Sequence, residues 1–305
     1  MLFKSFREKR KRENEYFERV IEDAKRRECQ QILLEESLWG EEWETRKPLQ
    51  EFSEEELQLL SPISQKAYCS QIAPDVFKDK VALAISKELN LYPNIQAIKP
   101  QCFLTSLADV HYIHEMRKYL KRNPRATVVD VNCNFNTLFF QVYNKKLKWF
   151  NVDNELILSL RSRLGLDSHR FIEQILCHQQ DDFGWLTKIP YNKNKGLIVL
   201  LNDSPRAWNP RDLKNLLITL QNNYPNSLVL LNCSGGKAGI NRDKFTFYSL
   251  NAKSPLHAWL TNATTRIYTS SSLDKGAAVN LKTKLKQELK HLHRNGHQIL
   301  VDIKF

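Results

Sequence analysis

Short runs of β-branched and aliphatic residues recur along the chain from Thr127 onward, each bounded by polar turns. Thr127–Val131, Leu147–Val152, Phe171–Cys177, Gly196–Leu201, Ser227–Leu231, Thr265–Thr269 and His297–Ile303 have the length and composition of strands. Apolar residues between several of these runs return at helical spacing: Leu138 to Val142, Glu155 to Leu164, and Asn209-Pro210 to Gln221. Asn209 has the character of an N-cap and Pro210 of a first helical position. Ahead of the first strand, helices are predicted at residues 4–38, from Ser53, over Asp75–Glu88 and over Ser106–Lys121. Ser53 begins a Ser-x-x-Glu capping box. Two further short helices are expected, one ending at Leu260 and one over Leu281–Arg294. Alternating strands and helices predict a doubly wound α/β sandwich.

The stretch Thr127–Arg163 carries the candidate chemistry. Strand, polar turn Asn132-Cys133-Asn134-Phe135-Asn136, helix, strand and Asp153 follow in that order. Such a βαβ unit, with an acid about 20 residues after the turn, suits a nucleotide, because that acid can accept hydrogen bonds from ribose hydroxyls.

This stretch resembles the leucine carboxyl methyltransferase-like group of class I S-adenosylmethionine-dependent O-methyltransferases. The first motif of that group, V-V-x-L-G-x-G-L-D-T-R, aligns without a gap on Val128-Val129-Asp130-Val131-Asn132-Cys133-Asn134-Phe135-Asn136-Thr137-Leu138. The second, W-x-x-x-D-L-P-x-V-x-x-x-R, aligns on Trp149 through Arg161. Thr137, Trp149, Asp153 and Arg161 match. Both glycines are replaced, by Asn132 and Asn134; the aspartate is Asn136 and the arginine Leu138. Farther along, Asp182 and Trp185 match a D-x-x-W motif, whereas Asn202, Asp203 and Ala207 replace E-G-x-x-x-Y. Asp79 to Ile85 fits the group's D-x-x-A-x-x-I only loosely.

The resemblance implies a seven-stranded class I methyltransferase sheet, order 3-2-1-4-5-7-6 with its last strand antiparallel, and S-adenosylmethionine as cofactor. It assigns the cofactor to Asp130, Asn132, Asn134, Asn136, Thr137, Asp153, Asp182, Trp185 and Asn202, with Asp153 on the ribose and Asp182 at the adenine. Glycine in such a turn allows positive φ and close approach of a ligand. Asparagine is the next most tolerant residue of left-handed geometry, so the turn is expected to survive. Its side chains would stand where the methionine moiety lies, which predicts weakened or lost cofactor binding.

Composition changes this picture in a few places. A basic-then-acidic helical extension is expected over 1–60. A methyltransferase-like domain is expected over 61–305, with helices 61–125 covering the site. The formal net charge of +12 favours an acidic partner such as nucleic acid, and Lys4–Arg12 and Lys282–Arg294 are its most basic runs. Six scattered cysteines without CxxC spacing read as reduced thiols of a cytoplasmic protein. No run of about 18 apolar residues predicts a membrane span. His111 and His114 on one helix, and His291, His293 and His297, read as solvated surface histidines and not as metal ligands.

Two readings of function stay open on this basis. One is an O-methyltransferase-like protein acting on a carboxylate or hydroxyl of a small molecule or peptide, with activity retained or lost. The other is a non-catalytic module of the same fold that binds nucleic acid or a protein partner. Oligomerisation through the N-terminal helix is a further expectation. No residue is marked by its pattern as a catalytic base.

Overall fold

The structure, a computed structural model, describes residues 51–72, 74, 77–91, 101–177, 183–201, 210–233, 259–269 and 299–305. The expected helices at 4–38 and 281–294, and most of the one ending at Leu260, lie outside these residues. The chain divides into two compact units. One holds the described residues up to His114 together with Arg163–Gly165; the other holds Glu115–Ser162 and the described residues from Leu166 onward.

In the first unit the helices are α1 (Glu54–Leu59), α2 (Ser61–Ile72), α3 (Lys80–Glu88) and the first part of α4 (Gln101–Arg122). The predicted capping box is formed. Ser53 Oγ accepts from the Glu56 amide at 3.2 Å, and Glu56 accepts from the Ser53 amide at 2.8 Å. Glu56 also meets Arg163 at 2.5 Å, and the Arg163 guanidinium stacks 4.3 Å over the Phe52 ring. This hydrogen bond from Arg163 holds the Glu56 carboxyl below its ordinary range.

Three expectations are corrected here. The helix predicted from Asp75 begins at Lys80, because Asp79 is extended and caps it, accepting from the Ala82 amide at 2.9 Å. The helix predicted from Ser106 already starts at Gln101. Asp109 therefore lies inside this helix, where it is a buried partner of Lys66 at 2.7 Å. His111, expected at the surface, is fully buried.

The second unit contains the sheet. Its elements are β1 (Thr127–Val131), α5 (Leu138–Val142), β2 (Lys148–Asp153), α6 (Glu155–Arg163), β3 (Ile172–Leu176), α7 (Trp185–Lys188), β4 (Leu197–Leu201), α8 (Pro210–Asn223), β5 (Ser227–Cys233), β6 (Thr264–Thr269) and β7 (Ile299–Lys304). All seven strands fall where the pattern predicts them, with small shifts at their ends. Strands β1 to β5 pair in parallel, and β7 runs antiparallel between β5 and β6.

The two-residue period of a strand sorts the side chains onto two faces. Val129, Val131, Phe150, Val152, Val199, Leu201 and Val229 line one face. Leu213, Leu216, Leu217 and Leu220 of α8, at helical spacing, pack into that same core. Each such fully buried aliphatic side chain contributes about 1.5–3 kcal/mol.

The entry to β4 is held by a tyrosine. Gly196 has φ +83°, and a Cβ there would stand 2.2 Å from the Tyr119 hydroxyl. That hydroxyl donates to the Asn226 carbonyl at 2.6 Å and accepts from the Leu197 amide at 3.1 Å. Burial pushes the Tyr119 hydroxyl up to about 12. A folded value above the ordinary one means the folded chain keeps the proton longer than the unfolded chain. The stabilisation is thus complete below about pH 10 and is lost as pH rises towards 12. Tyr119→Phe is expected to cost about 1.5 kcal/mol near pH 8, because two backbone groups lose a partner. Urea unfolding at about pH 8 and about pH 11 checks both points: the gap between the two proteins should narrow at the higher pH.

Candidate functional site

The C-terminal ends of β1 and β2 bring the turn and the acid together. Asn132 and Asn134 both adopt left-handed geometry, with φ 52° and 45°. The left-handed turn expected of these two asparagines is present. Asn134 also bonds its own surroundings: its side-chain oxygen accepts from the Phe135 amide at 2.9 Å.

Asp153 closes the turn from β2. One carboxylate oxygen accepts from the Asn134 amide at 2.8 Å. The other accepts from the Asn154 amide at 2.8 Å and from the Asn154 side chain at 3.1 Å. Asn154, not Asp153, caps α6, through the Ile157 amide at 3.0 Å. Burial raises the Asp153 carboxyl, and the Asn134 and Asn154 amides pull it back. Burial likewise pushes the Cys133 thiol well up.

The second face of β1 and β2 is polar and buried. Asn136 donates to Asp130 at 2.9 Å and accepts from the Leu138 amide at 3.0 Å. Arg161 is 1% exposed. Its guanidinium donates to the Asn134 carbonyl at 2.6 Å and the Asn136 carbonyl at 3.0 Å, and pairs with Asp167 at 2.8 Å. Asp167 also accepts from Asn151 at 2.7 Å and Gln174 at 2.6 Å, and Asn151 accepts from the Trp149 indole at 2.7 Å. Burial opposes the charge of Arg161, but the anionic groups facing it, Asp167 and Asp130 among them, leave it firmly protonated.

Two motif residues thus have structural duties: Arg161 holds the turn through the Asn134 and Asn136 carbonyls, and Trp149 orients Asn151, which bonds Asp167. Asn151, Asp167 and Gln174 escape a reading of the sequence. Polar-capable residues alternating at 149, 151 and 153 are the available signal, since period two puts all three on one face.

The sheet order is β3-β2-β1-β4-β5-β7-β6, with β7 antiparallel and the Asn132–Asn136 turn at the C-terminal end of β1. This is the class I methyltransferase fold. No family model and no curated protein matches the chain. Solved structures with a similar chain path include the plantazolicin methyltransferase BamL in complex with a desmethyl-plantazolicin analogue and S-adenosylhomocysteine. It is 10% identical with TM-score 0.44, over 81% of this chain and 96% of that one. A methyltransferase-like protein of Thermobifida fusca YX is 8% identical with TM-score 0.47, over 81% and 96%. Geranyl diphosphate methyltransferase in complex with S-adenosylmethionine is 13% identical with TM-score 0.40, over 67% and 89%.

In this methyltransferase fold the remaining predicted site residues scatter. Asp130, Asn136 and Thr137 are buried. Trp185 is 2% exposed and packed in the apolar core, so its ring offers no open face to a ligand. Asp182 and Asn202 lie outside the described residues, as do Asp203 and Ala207.

Proposed function

We propose that this chain is an S-adenosylmethionine-dependent O-methyltransferase-like protein whose cofactor site is weakened, leaving affinity in the millimolar range. The observation that supports this best is the turn itself. Asn132 and Asn134 keep left-handed geometry at the end of β1, and the Asn134 amide is bonded to Asp153 at the end of β2, which is where this fold receives the adenosyl group.

The fit to the cofactor is partial. A carboxylate offers about four acceptor sites. Asp153 already receives three N–H groups, so ribose hydroxyls would have to share or displace some of them. At the methionine end the Asn132 and Asn134 side chains occupy space that glycine leaves open. Asp153 and Asp182 are the residues that would meet adenosine. In an active protein the acceptor would be a carboxylate or hydroxyl of a small molecule or peptide, and alignment would supply most of the catalysis.

Calorimetry with S-adenosylmethionine and S-adenosylhomocysteine tests this reading. Each lost contact worth about 1.4 kcal/mol weakens binding tenfold. Asn132→Gly with Asn134→Gly is expected to tighten binding about tenfold, because both positions already have glycine-compatible backbone. Micromolar binding by the unmodified protein would show that the turn has adapted, and would reject the weakened site.

A further inference from the structure

The N-terminal ends of the parallel strands, away from the Asn132–Asn136 turn, carry a different chemistry. Six exposed cations stand in the segments that lead into four neighbouring strands, one at the end of α4 and five in loops. Arg122 and Arg125 precede β1, Lys145 and Lys146 precede β2, Arg170 precedes β3 and Lys195 precedes β4. Because β3, β2, β1 and β4 are adjacent and parallel, these loops lie along one edge of the sheet. Residues 118–126, 143–148, 168–171 and 188–196 contain no acid. Among the described residues none of the six forms an ion pair. Cations that only decorate a surface usually have carboxylates interspersed among them; here the one acid in the four loops, Asp167, is buried and paired with Arg161.

Aromatic rings sit within the same edge. Tyr143 and His169 are 4.5 Å apart, His169 and Phe171 5.6 Å, and all three are half-buried. The Arg170 guanidinium lies 4.9 Å from the Phe171 ring centre. Lys145 holds φ 64°, a conformation glycine or asparagine takes at less cost. We infer that this edge is a binding surface for single-stranded polynucleotide, its phosphates held by the loop cations and a base stacking on the Tyr143–His169–Phe171 cluster. Cationic tracks interleaved with aromatic rings are the arrangement that binds single strands without sequence preference. The surface is separate from the candidate cofactor site by the length of the strands, about 16 Å for five residues. A strand bound here leaves the turn free.

The test is fluorescence anisotropy of the full chain with labelled RNA and DNA oligomers of about 20 nucleotides, across a salt series. Both oligomers should bind at low salt. The variant Lys145→Glu/Lys146→Glu/Arg170→Glu should bind at least tenfold more weakly with an unchanged melting temperature. Its slope of log affinity against log salt should fall by about 2, since each phosphate contact on a single strand contributes about 0.7. A preference for RNA would identify 2′-hydroxyl contacts and DNA parity a phosphate-and-base mode; either supports the surface. Equal binding by the variant and the parent overturns it, as would happen if Lys4–Arg12 carried the affinity. Binding to anionic phosphatidylserine vesicles but to neither oligomer overturns it too. S-adenosylmethionine calorimetry on the same variant should be unchanged, so this surface and the cofactor reading fail separately.

Discussion

Arg161→Ala is expected to destabilise the protein by about 3–5 kcal/mol, the range for removing one partner of a buried ion pair. The guanidinium serves three purposes at once. It neutralises Asp167, satisfies the Asn134 and Asn136 carbonyls, and offsets Asp130 nearby. Without it, the buried carboxylates of this network lose the cation that faces them. Arg161→Lys should recover only part of the loss, since one ammonium cannot reach both carbonyls and Asp167 in the planar geometry of a guanidinium. Each kcal/mol shifts the melting temperature by roughly 2–4 °C in a domain of this size. Scanning calorimetry should therefore show a drop of roughly 6–20 °C for alanine. A change below about 2 °C would mean the network contributes little.

Asn136→Asp restores the residue that the resembled motif carries, yet it is expected to cost about 3 kcal/mol at about pH 7. Asn136 donates to the Asp130 carboxylate at 2.9 Å. A second ionised carboxylate at that distance would repel the first, and one of the two must keep a proton. The shared proton has a folded-state pKa above the unfolded value, so the folded variant binds more protons than the unfolded chain. Its stability is then fully present below the unfolded carboxylate range, near about pH 4, and falls as pH rises through the folded value. When protonated, the introduced carboxyl can donate to Asp130 as the asparagine does. Chemical denaturation at about pH 4.5 and about pH 7 should show the variant close to the parent at the lower pH and well below it at the higher. A deficit independent of pH would point to packing instead. The pair also explains why this departure from the motif is tolerated: with aspartate at 130, the partner has to be a donor.

The sheet is legible in the sequence because its central strands are buried on both faces and read as unbroken apolar runs. Leu197–Leu201 and Ser227–Cys233 carry no competing helical period, and the pattern locates both closely. The turn is legible through Asn132 and Asn134, whose left-handed geometry follows from residue type. Helix starts are harder. The Asp79 amide donates to Ser70 Oγ, a tertiary contact that no local pattern contains, and this fixes Asp79 as the N-cap. The polar support of the turn is hidden for the same reason. Asp167 lies well beyond Asp153 in sequence, and nothing in Asp167 itself marks it as the counter-ion of Arg161. Burial of Trp185 is equally unreadable, because an aromatic residue after a turn suits a ligand ledge as well as a core.

The position of β7 has a consequence for how the chain acquires its structure. Strand β7 pairs with β5, joining Leu228 to Lys304 and Leu231 to Val301, and it is also the strand that β6 pairs with. Until residues 299–304 have been synthesised, β5 is an apolar edge with unpaired backbone groups, and β6 lacks the neighbour that ties it to the sheet. Closing so long a loop is entropically slow, and exposed edges of this kind recruit other chains. The parallel block β3-β2-β1-β4-β5 can therefore assemble first, with β7 arriving late as both lock and cover. Deleting residues 299–305 would then remove two strands from the sheet, not one, and should send the protein into aggregates during expression.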